Sequence, residues 1–361
     1  MKNSFGNAIN ISLFGESHGA GVGVLIDGIA PGIKVDEDFI AHQLTLRRPK
    51  EKISTARREP DEYVIQSGVL GGYTTGAPLC IFIPNTDMRS RDYTPELPRP
   101  SHADFTAHEK YHGFEDYRGG GHFSGRLTAA LVAAGAIVIP ALREKGIYIG
   151  TCISRIGQTD ISEIPTDRKG LLAVAESDYG LTESNAVEMM KNVIEKAREL
   201  SDSVGGVLET AIIGLPTGLG EPWFDGVESQ IARAVFGIPA VKSVAFGAKD
   251  IESMRGSRAN DAFVLKNGEI ITATNNSGGI QGGITNGMPV IFRTAIKPTP
   301  SIAQIQKTVN MATGKETEFI IKGRHDPCIV PRARIVIDSV AALVVADMLT
   351  VRYGSDALTG K

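Results

Sequence analysis

Apolar positions recur along the chain with two different periods, and the two periods separate strands from helices. Runs rich in Ile, Val and Phe predict strands over 9–14, 22–27, 63–66, 79–83, 147–153, 207–213 and 290–293. Spacing of three to four residues predicts helices over 36–47, 127–145, 183–200, 226–236 and 335–351. In the first helix Phe39, Ile40 and Leu44 share one face, and Pro49 ends it. The 127–145 helix carries the run LTAALVAAGAIVIPAL and is apolar nearly all round, so it is expected to be buried on every side in a helical layer between sheets. A length of ~20 residues, with Gly135 and Pro140 inside and Arg126 and Arg143 flanking, favours a core helix over a membrane span.

Two pairs of segments resemble each other and imply a duplicated unit. SGVLGGYTTGAPL (67–79) matches SGGIQGGITNGMPV (277–290) with one inserted residue, and GIAPGI (28–33) matches GLPTGL (214–219). The latter two each follow a predicted strand and precede a helix begun by an acid, Asp36 or Asp225. Glycines at equivalent places imply equivalent backbone turns. The expected fold therefore has pseudo-twofold halves near 20–96 and 204–300 within a single domain, 1–361.

Composition narrows the function. The 361 residues carry 38 Lys and Arg against 41 Asp and Glu, a net charge of −3, and 42% are apolar, enough for a large core. A near-neutral balance argues against a dedicated nucleic-acid binder, which needs a basic face to displace counterions, so any cationic cluster is local and suits a small anion. No run of ~18 uninterrupted apolar residues and no signal-peptide pattern at the start leave no membrane partner expected and a cytoplasmic setting. Three widely spaced cysteines, Cys80, Cys152 and Cys328, suit reduced thiols, and Cys80 sits in an apolar run that reads as core.

The chemistry gathers around loops. Of the seven histidines, all but His42 are expected in loop-like or glycine-rich surroundings, where imidazole serves proton transfer near neutral pH. His18 lies in GESHG (15–19) between two predicted strands, so a dinucleotide-binding reading of the nearby glycines fits poorly. His102 lies in RPSHADFT (99–106), where Ser101 or Asp104 could cap the next helix. RGGGHFSGR (118–126) opens the buried helix, where backbone N–H groups and two guanidinium groups can grip a phosphate or carboxylate. It lacks the Lys-Ser/Thr ending of a nucleotide-triphosphate loop. Arg47 and Arg48, Arg57 and Arg58, and the turn KGRHDPC (322–328) add charge either to a solvated rim or to a polyanion pocket. HEKYH (108–112) fits the HExxH zinc pattern, but Gly113 follows at once and the surrounding aromatics suggest a packing turn, so no metal is expected. A metallohydrolase using His108 and His112, and a non-catalytic phosphosugar-binding module, are the competing readings.

Taken together the motifs resemble the chorismate synthase family. The match runs in family order through GESHG, GIAPGI, RRP (47–49), RREPD (57–61), NTDMRSRDY (85–93), RPSHADFT, DYRGGG, NSGGIQGGITNGMPV, KPTPSI and GRHDPC (323–328), and covers essentially the whole chain. The resemblance implies an α+β fold with a layer of helices sandwiched between two antiparallel sheets. It also implies a lyase that converts 5-enolpyruvylshikimate 3-phosphate to chorismate by 1,4-elimination of phosphate. The reaction needs reduced FMN without net redox change and belongs to aromatic biosynthesis. A substrate with one phosphate and two carboxylates explains why a near-neutral chain concentrates arginine around its loops.

Carried over by motif, His18 stands near the flavin and leaving phosphate, His102 protonates the reduced flavin, and Asp326 assists as a base. Substrate contacts fall on Ser17, Arg47, Arg48, Ser124, Arg126 and Arg324. Flavin contacts fall on His122, Phe123, Ser124, Pro239, Ala240, Gly282, Lys297, Pro298, Thr299, Pro300, Ser301 and Arg324. Arg47 and Lys52 sit where NADPH contacts are assigned, NADPH being the reductant. The family is usually a homotetramer. Two positions depart from the pattern: His122 and Lys52 each stand where arginine is common.

Overall fold

The apolar runs pair into two antiparallel sheets of five strands each. The first contains β1 (Ser4–Phe5), β2 (Asn10–Gly15), β3 (Gly21–Asp27), β4 (Val64–Ser67) and β5 (Leu79–Pro84), in the order β1-β2-β3-β5-β4. The second contains β6 (Tyr148–Ile156), β7 (Thr159–Asp160), β8 (Gly206–Ile213), β9 (Val241–Phe246) and β10 (Val290–Ile296), in the order β7-β6-β8-β10-β9. The computed structural model describes residues 2–50, 53–55, 59–88, 93–321 and 326–359.

The four longer strands of each sheet follow the same order, β2-β3-β5-β4 and β6-β8-β10-β9, and differ only in the two-residue edge strand, which comes before β2 in one and after β6 in the other; the repeated motifs occupy the same places in them. A two-strand hairpin, Val69–Leu70 with Tyr73–Thr74, precedes β5, and another, Ile280–Gln281 with Ile284–Thr285, precedes β10. The threonine in each hairpin does the same work. Thr74 Oγ1 donates to the carbonyl of Ala30 and accepts from the N–H of Ile33, at 2.6 and 2.9 Å. Thr285 Oγ1 donates to the carbonyl of Pro216 and accepts from the N–H of Leu219, at 2.7 and 2.9 Å. Each hydroxyl satisfies two backbone groups of the loop after the central strand, which is how these loops are held in the same shape in both halves. The fold has internal pseudo-twofold symmetry.

Seven helices complete the chain: α1 (Glu37–Arg47), α2 (Asp104–Tyr111), α3 (Thr128–Glu144), α4 (Arg168–Glu176), α5 (Ser184–Glu199), α6 (Val227–Phe236) and α7 (Val330–Tyr353), with only single-turn pieces beside them among the described residues. Helix α3 lies on β3 and β5, α7 lies on β6 and β8, and the two lie against each other, so the helices form the layer between the sheets. Helix α1 packs beside α3 and α6 beside α7. Both central helices are apolar on almost every face because both faces of the layer are covered. The stretch Gly125–Glu144 is apolar and long enough to cross a membrane, with a mean hydropathy of 1.8, but it is 89% buried inside the protein.

Several expectations need correction. Cys80 is half-buried on the outer face of β5, because burial alternates along Leu79–Pro84 and the odd-numbered residues take the core. Asp36 caps α1 as expected, accepting from the N–H of Phe39, but Asp225 lies in a single turn before α6, which Gly226 begins without a side-chain cap. The last helix starts at Val330 rather than 335, with proline in its first turn. The hairpins Phe263–Lys266 with Glu269–Thr272 and Ile305–Asn310 with Lys315–Ile320 carry no clean alternation in sequence because both their faces are largely exposed.

Gly135 is the point of closest approach in the helical layer. A methyl group there would stand 2.4 Å from Cβ and 2.5 Å from Cα of Ser339 on α7. Gly135→Ala should therefore destabilise the protein by about 1–3 kcal/mol although alanine is the better helix former, as read from urea unfolding. Unchanged or increased stability would show that the two helices can part at no cost.

Candidate active site

A cavity of about 300 Å³ opens where α1 ends and where α3 and α7 begin. Arg47 is the last residue of α1, Ser124 to Thr128 lead into α3, and Asp326 to Val336 form the start of α7. Two helix N-termini thus face one space, where their unpaired N–H groups favour an anion.

Asp61 organises the cationic wall. Its carboxylate accepts from Arg47 Nη1 at 3.4 Å and, through its other oxygen, from Arg126 Nη1. Arg47 also donates to Thr128 Oγ1 at 3.0 Å and to the carbonyl of Gly125 at 2.9 Å. Arg126 donates to Asn85 Oδ1 at 2.9 Å and to the carbonyl of Pro84 at 3.1 Å. All three charged residues are buried, so the shared carboxylate offsets the cost of taking two guanidinium groups out of water.

The floor is the triple-glycine turn. Gly119, Gly120 and Gly121 all have positive φ, at 63°, 80° and 52°. A methyl group on Gly119 would stand 2.5 Å from the ring of His18 and 2.9 Å from Ser17 Oγ, and one on Gly120 would stand 2.8 Å from Cε1 of His102. The turn is bare backbone, and two histidines from distant segments rest on it. His18 is buried and meets Tyr93 edge to face at 5.4 Å. Tyr93 in turn carries Arg99 on its ring at 5.2 Å.

Asp326 is buried at the start of α7, where its Oδ2 accepts from Arg332 Nη1 at 2.6 Å. Burial pushes its carboxyl pKa up, against the attraction of Arg332 and the N–H groups of Cys328 and Thr55. Arg332 also donates to the carbonyl of Arg47 at 3.2 Å, tying the two helix ends together.

Of the residues picked out in sequence, the structure brings His18, Arg47, Ser124, Arg126, Pro239, Thr299, Ser301 and Asp326 to the cavity wall. Ser17 and His102 stand against the glycine turn just behind it. Arg48 is half-buried beside α1, and its Nε has no hydrogen-bond partner among the described residues. His122 Nδ1 bonds the carbonyl of Gly15 at 2.9 Å, and Phe123 is exposed with its ring edge-on to Tyr111. Ala240 accepts from the N–H of Lys297, whose Nζ is bound to the carbonyl of Ser101. Pro298 is exposed, Pro300 accepts from Gln306, and Gly282 sits exposed in its hairpin turn, away from the cavity wall. Lys52, Arg57, Arg58, Lys322, Arg324 and His325 lie outside the described residues.

The expected caps at Ser101 and Asp104 do not form: no side chain caps α2, and Asp104 turns to Arg99 and His102 instead. The HExxH pair is broken as a helical face, since His108 lies in α2 and pairs with Glu115 at 3.2 Å while His112 takes the left-handed conformation that ends the helix. Among the described residues no three His, Cys, Asp or Glu side chains cluster as metal ligands. Sequence reasoning passed over Asp61, Arg99 and Arg332, although the first two lie inside motifs it quoted.

The model of the chorismate synthase family matches residues 9–350. The chain belongs to the chorismate synthase family. It is 45% identical to a chorismate synthase of Pyrococcus abyssi over 350 residues, covering 96% of this chain and 97% of that protein. It is 45% identical to one of Chitinophaga pinensis over 357 residues, covering 98% of both. A crystal structure of a chorismate synthase superposes with a TM-score of 0.76 at 30% identity, covering 97% of this chain and 94% of that one. As a member of this lyase family the chain is an enzyme of the route to aromatic compounds.

Gly119→Ala tests whether the bare turn matters to this family member's chemistry. The left-handed backbone costs alanine about 1–2 kcal/mol, and the methyl group must displace His18. Turnover should fall about tenfold to a hundredfold in a protein that still unfolds cooperatively, and wild-type turnover would show that His18 need not rest there.

Proposed function

We propose that the chain converts 5-enolpyruvylshikimate 3-phosphate to chorismate and inorganic phosphate, by 1,4-anti elimination of the 3-phosphate and a C6 proton, with reduced FMN required and no net redox change. The observation that carries this reading is the convergence, in one cavity, of Arg47, Arg126 and Arg332, two helix N-termini, His18 and a carboxyl of raised basicity. Binding a compact polyanion and removing a proton from it need this set together.

The walls suit a flavin as well. Ile238, Pro239, Ile329 and Val336 make part of the lining apolar, and Thr299 Oγ1 on the same cavity is buried with no hydrogen-bond partner among the described residues. Apolar lining with an unsatisfied hydroxyl matches a flat heteroaromatic ring with polar edges. Ser124, Pro239, Thr299 and Ser301 would hold it. When bound, reduced FMN supplies electron density that eases departure of the phosphate.

The chain's own residues account for the remaining work. Arg47, Arg126 and Arg332 bind and orient the carboxylates and phosphate, held in place beforehand by Asp61 and Asp326. His18 donates to the departing phosphate, so the C3–O bond breaks without leaving an unprotonated trianion. His102 holds a proton at the far side of the glycine turn, and Asp326 receives the proton released when the C6–H bond breaks. The same reading takes NADPH as reductant at Arg47 and Lys52, a homotetrameric assembly, a cytoplasmic setting, and no nucleic-acid or membrane partner.

Phosphate release from 5-enolpyruvylshikimate 3-phosphate under anaerobic reduced FMN tests the activity, and its absence would leave only a phosphosugar-binding module. His102→Ala should lower turnover about a hundredfold while sparing the fold, and wild-type turnover in that variant would remove the assignment. The raised pKa of Asp326 also gives turnover a sign in pH. A base must be ionised, so kcat should fall as pH drops through a value above the ordinary 3.8, and Asp326→Asn should lose this acid limb along with most turnover. An unchanged limb in that variant would assign the base elsewhere.

A further inference from the structure

Asp104 begins α2 but serves no helix N–H. Its Oδ2 accepts from the backbone N–H of Arg99 at 2.9 Å and from Arg99 Nε at 2.7 Å, and its Oδ1 accepts from Arg99 Nη2 at 2.7 Å. The same Oδ1 stands 2.7 Å from His102 Nδ1, which is 3.0 Å from Arg99 Nη2. These three atoms form a nearly equilateral triangle. The two N–H bonds of a guanidinium nitrogen diverge by about 120°, so Nη2 cannot serve both of the other atoms. A carboxylate oxygen can accept twice, so Oδ1 takes one N–H from Arg99 and one from His102. Burial works to raise the Asp104 pKa, but the hydrogen bonds and charges of Arg99 and His102 outweigh it and hold the carboxyl well below the usual carboxylate range. An ionised carboxylate only accepts, which places the histidine proton on Nδ1.

The opposite edge of the ring is then committed. Its Cε1 and Nε2 abut Gly120, next to Gly119 in the cavity floor. We propose that Asp104 is a positioning residue for the acid–base step: it fixes His102 as the Nδ1–H tautomer and turns Nε2, the atom that exchanges a proton, toward the glycine turn. The proposal rests on the reading of His102 as an acid–base residue. Arg99 completes the device by gripping both oxygens of Asp104, and Asp104 never meets substrate in this arrangement.

Asp104→Asn is the decisive variant, since it keeps shape while placing an amide N–H against the ring, so that Nδ1 must accept and the proton moves to Nε2. Protein labelled with 15N-histidine, with the His102 signals assigned by their loss in His102→Ala, should show Nδ1–H for wild type and Nε2–H for Asp104→Asn at a pH where the ring is neutral. In the reduced-FMN assay kcat should fall about a hundredfold with KM within about twofold. Nε2–H in the wild-type enzyme overturns the proposal, and this measurement stands even if the asparagine variant fails to fold. Wild-type kcat in Asp104→Asn, with His102→Ala impaired, overturns the proposal alone. Wild-type kcat in His102→Ala removes the underlying reading instead.

Discussion

The contact between α3 and α7 at Gly135 and Ser339 is the constraint on which the rest depends. Gly135 is the eighth residue of α3 and Ser339 the tenth of α7, so the helices run side by side in the same direction from the cavity. Neighbouring helices more often run antiparallel in bundles with short loops, where their dipoles oppose. Here both positive ends point into one space, and the layer tolerates that because sheets on either side bury the helices throughout. A positive potential at the cavity follows from the packing before any side chain is considered.

Side chains sharpen that potential and also make it affordable in a buried setting. Arg47, Arg126 and Arg332 would repel one another around an empty space, and each is instead held to an acid: Asp61 serves the first two and Asp326 the third. None of these acids is free to move, since each is itself buried. The guanidinium groups are therefore oriented without the reorganisation that flexible surface arginines would need, which is the arrangement that stabilises developing charge most effectively.

The short-period signals in the sequence were legible because each depends on neighbours a few residues away. The apolar run over 79–83, the all-round apolarity of 127–145 and the likeness of 67–79 to 277–290 all correspond to elements in the structure, and the repeated threonines Thr74 and Thr285 give the likeness its physical content. The cationic wall was not legible in the same way. Arg126 finds its carboxylate 65 residues back and Arg332 finds the carbonyl of Arg47 across 285 residues, separations on which periodicity says nothing. Asp104 misled for the opposite reason. Local rules make an acid at a helix start a cap, and only the tertiary placement of Arg99 and His102 gives it a stronger partner.

The internal symmetry also explains why one cavity has two kinds of wall. Helices α1 and α6 hold corresponding positions in the two halves, each following the loop after its central strand, and both end at this cavity. The end of α1 supplies Arg47, whereas the chain leaving α6 supplies Ile238 and Pro239. Equivalent backbone thus carries different chemistry, cationic at the end of α1 and apolar after α6. A symmetric pocket would have matched two anions or two flat rings. The divergence of these two helix ends sets cationic and apolar side chains around one cavity.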